Sequence, residues 1–392
     1  MEADSVIQNL QTSMIARLHQ LADNAHVYWV SNNHPIRSKF AAMKNLAAGQ
    51  ATSFYFFDQQ WSRADWSKPS SDSFDNLLIQ RAKEIRQNYS YVRLAYSGGS
   101  DSHTALMAFR MAGVAPDEIY FWSMLGEYPS KFDNNFEINR SVRPYVPIIQ
   151  QWFPKTKIRH INLDYNRYRA LKLLHPSHSA FEISTGLRSL TTSFSLAAFE
   201  DFAIGSNVVT ITGSDKPRLD RINGQWYAWL TDLSCMHNWG QGVEGFFASE
   251  NPALYIKQCH TLKNFLTHLL PQATRRQLLK IQTHGTLQHQ QELNQSIGRY
   301  QPFDIIAMSR KQMKRQFWLG ERGIKSYCLW RTIRARDGGP EFLQQWQRIK
   351  QQFKTETGFC PTVEMFGKFY NLDTGEIRTV DSLFPNGWHL ND

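Results

Sequence analysis

A chain of 392 residues that is 42% hydrophobic and carries 12 Trp, 15 Tyr and 25 Phe can bury a substantial core, in one elaborated domain or in two. Charged residues make up only 20%, which argues against a disordered chain, and no uninterrupted apolar run approaches membrane-spanning length. The net charge of +10 predicts long-range attraction to polyanions such as nucleotides, RNA or DNA, and it serves equally well as plain surface solvation.

Cys235, Cys259, Cys328 and Cys360 lie far apart and form no Cys-x-x-Cys pair, so neither a structural zinc nor an iron–sulfur cluster is expected. The opening Met1-Glu2-Ala3-Asp4 lacks the basic-then-apolar pattern of a secretory signal. The expectation is a soluble cytoplasmic protein with reduced thiols and no membrane partner; assembly into a homo-oligomer is left open.

Taken in chain order, Val6, Ile7, Leu10, Met14, Ile15, Leu18 and Leu21 recur at helical spacing and predict an amphipathic N-terminal helix. Strand-like runs follow at 27–30 and 53–57, with a helix near 39–47 between them. The polar segment Lys68-Pro69-Ser70-Ser71-Asp72-Ser73 predicts a boundary near residue 70, followed by a helix to about Gln87. Tyr91 to Tyr96 reads as a buried strand, His103 to Met111 as a helix closed by Gly113, and Ile119 to Met124 as a second strand. Asn134 to Trp152 reads as a helix disturbed by Pro144 and Pro147, and Lys157 to Leu163 as a third strand.

A helix around 187–202 precedes the β-branched run Asn207 to Thr212, a further buried strand. Beyond about Gly240 the pattern is helix-rich, and it closes with a hairpin, 363–370 and 377–380, turned at Asp373-Thr374-Gly375. Alternating strands and helices predict an α/β fold with a doubly wound, mostly parallel sheet whose ligands lie beyond the carboxyl ends of the strands. The expected organisation is an N-terminal extension at 1–70, an α/β nucleotide-binding domain at 71–240 and a helix-rich region at 241–392.

The strongest chemical signal is Ser97-Gly98-Gly99-Ser100-Asp101-Ser102, which leaves a strand and enters a helix directly. Paired glycines let the backbone approach a ligand, helix-start amides point outward, and the serine hydroxyls add donors: together they make an anion cradle. A carboxylate at Asp101 cannot contact phosphate favourably, so it is expected to serve Mg²⁺ or brace the loop. Neither the Gly-x-x-x-x-Gly-Lys-Ser/Thr spacing nor Gly-x-Gly-x-x-Gly is present here.

Ser-Gly-Gly-x-Asp-Ser after a short apolar strand resembles the signature of the PP-loop ATP pyrophosphatase superfamily, near its asparagine synthetase and nucleobase-modifying adenylase branches. The resemblance covers about residues 75–230. It implies ATP and Mg²⁺ as cofactors, with the loop holding the β- and γ-phosphates while a substrate oxygen attacks the α-phosphate and pyrophosphate leaves. The chain has no Cys at position 2 and no Cys-x-x-Cys pair, which disfavours glutamine-dependent and sulfur-transferring members, adenylylsulfate-reductase-like enzymes included. By the same resemblance, backbone near Ala95 and Met124 reads adenine.

Gly213-Ser214-Asp215-Lys216-Pro217-Arg218 forms a second polar loop after a strand. Asp215 offers a metal ligand, Lys216 and Arg218 offer charge for departing pyrophosphate, and the bland alternative is a turn with solvated charges. Glu127, Lys131, Asp133, His178, Arg188 and the stretch 232–237 contain reactive types without metal-ligand spacing. A basic run from Lys311 to Arg336, interleaved with Phe317, Trp318, Tyr327 and Trp330, suits either nucleic acid or solvated helix faces. The substrate expected is an unidentified one, a nucleobase in RNA or DNA fitting the charge better than a free small acid. The alternative function is a non-catalytic nucleotide-binding or assembly module.

Overall fold

The computed structural model describes residues 27–36, 39–124, 138–163, 207–213, 217–231, 243–269 and 367–379, with the single positions 351, 355 and 383. In chain order the elements are β1 (Val27–Ser31), β2 (His34–Ile36), α1 (Lys39–Ala47), β3 (Thr52–Phe56), α2 (Asp58–Trp61), α3 (Phe74–Asn88), β4 (Tyr91–Ala95), α4 (Ser100–Met111) and β5 (Glu118–Met124). A π turn at Ile138–Val142 and a 3-10 turn at Arg143–Tyr145 lead into α5 (Val146–Trp152). Then come β6 (Lys157–Leu163), β7 (Val208–Thr212), β8 (Arg218–Ile222), β9 (Gln225–Thr231), β10 (Val243–Gly245), α6 (Ala253–Leu269), β11 (Gly367–Asn371) and β12 (Ile377–Thr379).

The fold class is α/β, built on a five-stranded, all-parallel sheet in the order β10-β7-β4-β5-β6. From β4 the chain moves outward through β5 to β6, and β7 then returns to the other side of β4. One sheet face follows from strand alternation: Val92, Leu94, Ile119, Phe121, Val209 and Ile211 all join one hydrophobic cluster with α3 and α4. The opposite face is more polar, with Arg93, Glu118, Tyr120 and Thr210 all buried.

Helix α3 forms because its sequence satisfies both termini and one face. Ser73 caps it by accepting from Asn76 N at 3.1 Å, Asp75 sits in the first turn and Arg86 in the last. Leu77, Leu78, Ala82 and Ile85 supply the buried stripe. Buried Arg81 bonds Glu244 of β10 at 2.7 Å and the carbonyls of Gly245 and Phe246, while the Tyr89 hydroxyl donates to the same carboxylate. The short edge strand is therefore held by α3 as well as by its ladder with β7. Between β5 and β6 the expected single helix is broken: Pro144 and Pro147 stand at helix starts, where a missing amide costs least, so three short turns replace one regular helix.

The remaining strands form two antiparallel sheets, β2-β1-β3 and β12-β11-β9-β8. β8 and β9 make a hairpin turned at Asn223-Gly224, both with positive φ (50° and 81°), as a two-residue primed turn requires. The expected C-terminal hairpin forms between β11 and β12, and β11 also pairs with β9. Asp373 in its turn accepts from Trp226 N at 2.7 Å and from Lys263 of α6 at 2.6 Å.

These sheets and α6 enclose a second core rich in aromatic rings. Trp61 and Trp66 are fully buried, and Trp66 stacks on Tyr370 at 3.9 Å. Each indole has a partner: Trp61 Nε1 donates to Ser249 O and Trp66 Nε1 to Trp61 O. Helix α6 joins the two cores, with Leu254 in the sheet cluster and Tyr255, Ile256 and Cys259 in the aromatic one. Among the described residues no helix is long and apolar enough to cross a membrane.

Candidate functional site

Strand β4 is central: both its edges are paired, by β7 and β5, and its three middle residues are buried. Its ladder continues one residue beyond Ala95, with Tyr96 N donating to Tyr120 O at 2.8 Å. The chain then turns sharply at Gly98, whose φ of 71° suits glycine, and enters α4 through Gly99. Gly99 is the N-cap, and it has no side chain with which to cover the amides that open the helix. The positive end of the helix dipole lies at the same point.

Two of the serine hydroxyls expected to reach for phosphate, those of Ser97 and Ser102, are engaged within the loop. Ser102 Oγ donates to Gly99 O at 3.1 Å and accepts from Ser97 N at 3.2 Å. With its single proton directed at Gly99, it accepts from Ser97 Oγ, 3.1 Å away. Ser97 and Ser102 thus close the loop upon itself. Asp101 is in the first turn of α4, only 8% exposed, where its charge favours the helix start.

The second loop meets the first. β7 lies beside β4 in the sheet, and Gly213 follows immediately after its last residue, Thr212. A Cβ placed on Gly213 would stand 2.7 Å from Ser102 N and 2.9 Å from both Asp101 C and Ser102 Cα. Those neighbours are backbone atoms of a helix start and have no rotamer by which to move away. Glycine at 213 therefore lets the end of β7 pack directly on the start of α4, on the border between β4 and β7 where the two directions of strand order part. In open parallel sheets such a border, at the carboxyl ends, is where ligands bind.

Of the other expected site residues, Ala95 ends β4, half-buried, and Met124 ends β5 two strands' width from β7. Arg218 opens β8 with its guanidinium over the Trp229 ring at 4.8 Å, so it is set in the antiparallel hairpin by a cation–π contact. Ser214, Asp215 and Lys216 lie outside the described residues, as do Glu127, Lys131, Asp133, His178, Arg188, 232–237 and the basic run 311–336. The same holds for the expected helices at 4–21 and 187–202. Among the described residues no group of three His, Cys, Asp or Glu side chains is placed to hold a metal ion.

Two features of the site were not read from sequence. Gly213 carried a signal, a glycine directly after a β-branched strand, but its contact with Ser102 is a matter of sheet order rather than of local pattern. The second is a buried contact between Tyr96 and His103, which flank the loop. At the opposite, amino end of the sheet Glu118 gathers Arg93 (3.6 Å), Arg159 (3.7 Å) and the Tyr91 hydroxyl (3.0 Å). That cluster is remote from the loop along the strand direction, and burial lowers the Arg93 pKa against the pull of Glu118.

Comparison with protein-family models, with curated proteins and with solved structures gives no match to this chain.

Proposed function

We propose that the chain is an ATP-dependent adenylating enzyme of the PP-loop type, with a doubly wound sheet and its nucleotide site where the loops after β4 and β7 meet. The observation that carries this reading is the close approach of Gly213 to Ser102: backbone against backbone at a helix start, at the carboxyl ends of the two strands, with no room for a Cβ. A side chain at 213 would do no harm to an ordinary turn. It is excluded here by the backbone of Asp101 and Ser102.

When bound, ATP with Mg²⁺ would supply an adenylyl group and a pyrophosphate leaving group. The backbone of Gly98 and Gly99 and the first-turn amides of α4 hold the phosphates, and the Ser97–Ser102 pair keeps that backbone in place. Asp101 and Asp215 serve the metal or the loop geometry, Lys216 and Arg218 counter departing negative charge, and backbone near Ala95 and Met124 borders the adenine. A substrate oxygen attacks the α-phosphate, pyrophosphate departs, and a nitrogen nucleophile then displaces AMP. The excess of basic residues favours a nucleobase, free or in RNA or DNA, as the substrate.

Pyrophosphate release measured with a panel of acids, nucleosides and RNAs tests the reaction. The expected result is release with at least one class, lost in Asp101→Asn. ATP binding without release from any member of the panel would instead favour a nucleotide-binding or assembly module.

A further inference from the structure

The glycine loop is tied at its base by two side chains that the proposed chemistry does not use. Tyr96 is the residue before Ser97 and His103 the residue after Ser102; the Tyr96 hydroxyl lies 3.0 Å from His103 Nδ1. Each residue is 2% exposed. Burial, with Tyr145 nearby as a lesser cause, pushes the Tyr96 pKa well above the ordinary tyrosine range, so the hydroxyl keeps its proton. His103 occupies the first turn of α4, where the positive end of the helix opposes an imidazolium. The Tyr96 hydroxyl and His103 Nδ1 share one hydrogen bond, whose donor is set by the imidazole tautomer.

Both partners are fixed from behind. Tyr96 is anchored to β5 through Tyr120 O, and the His103 ring is met edge-on by Tyr145 at 5.2 Å, with Trp152 at 6.4 Å. The contact therefore links a point on the sheet to a point on the helix across the six loop residues. It runs parallel to the Ser97–Ser102 bridge, but deeper in the protein.

We propose that Tyr96 and His103 are positioning residues: resting on the reading of the loop as a phosphate cradle, their hydrogen bond holds the loop amides at the spacing of bound phosphates before ligand arrives. The gain lies in pre-organisation, since a loop already set in its bound form gives up less freedom on binding.

Calorimetric titration of the full chain with inorganic pyrophosphate and with AMP, each with Mg²⁺, decides the matter. Tyr96→Phe removes one oxygen and leaves the ring in place; pyrophosphate should bind about tenfold more weakly, the effect of one buried hydrogen bond, and AMP should change by less than about twofold. His103→Asn, whose Oδ1 can take the place of Nδ1, should bind pyrophosphate like wild type, and His103→Leu should lose what Tyr96→Phe loses. Should Tyr96→Phe fail to fold, the contrast between Asn and Leu at 103 carries the test. Wild-type affinity in Tyr96→Phe, equal losses for AMP and pyrophosphate, or identical behaviour of Asn and Leu would overturn the proposal. A wild-type chain that binds no pyrophosphate would overturn it together with the cradle reading, whereas binding that is indifferent to these substitutions would overturn the positioning role alone.

Discussion

Around Trp61 and Trp66 the chain fills space with rings, each indole bonded to a carbonyl and in contact with neighbouring rings, whereas at the ends of β4 and β7 it places glycine and serine and lets backbone face backbone. The aromatic region draws on segments far apart in sequence, 27–36, 39–66, 217–231, 248–269 and 367–379, and encloses them in one core. The loop region draws on two short stretches at the ends of neighbouring strands. The difference teaches where tolerance lies: a packed core is damaged by removing atoms, a backbone cradle by adding them.

Trp66→Ala should do the most harm to the aromatic region. Emptying a fully buried indole site that stacks on Tyr370 should cost about 4 kcal/mol in denaturant unfolding. A loss below about 1 kcal/mol would mean that those rings are not a core at all. Next comes Glu244→Ala, which leaves Arg81 buried without its carboxylate and should cost about 3 kcal/mol in the same measurement. A neutral outcome there would detach β10 from α3 in the account of the parallel sheet.

Gly213→Ala reverses the logic, since it adds one methyl group and removes nothing. Stability should fall by about 1 to 3 kcal/mol, while ATP affinity measured by calorimetry should fall at least about a hundredfold, because backbone atoms stand within 3 Å of the new carbon. Unchanged affinity would show that the two loops do not share a ligand.

The smallest expected effect concerns pH. Burial, and Lys263 in lesser degree, lowers the His260 pKa, and burial with Arg143 lowers that of His160. The folded state therefore binds fewer protons than the unfolded one as pH falls through the ordinary histidine range, about 6.5, and stability should decline from about pH 7 toward pH 5. His260→Gln, which can still donate to the Trp66 carbonyl, should flatten part of that decline in thermal melts; an unaltered slope would assign it to other groups.

The parallel sheet was largely legible because its signals are local. A buried apolar run at 91–96, a capped helix at 74–88 and a β-branched run at 208–212 each announce themselves within a few residues. β10 did not, since three residues hold too little pattern and its burial comes from β7 and Arg81. The β8–β9 hairpin went unread although Asn223-Gly224 is a strong turn signal, and its pairing with β11, across more than a hundred residues, has no local trace. In the candidate site, the loop 97–102 was readable from its glycines; the inward turn of the Ser97 and Ser102 hydroxyls and the approach of Gly213 depend on three-dimensional closure.

A crystal structure of the full chain with a non-hydrolysable ATP analogue and Mg²⁺ tests the central claim most directly. Phosphate oxygens are expected about 3 Å from the Ser102 amide, with Gly213 alongside. A triphosphate bound elsewhere, with that amide covered by protein, would contradict it.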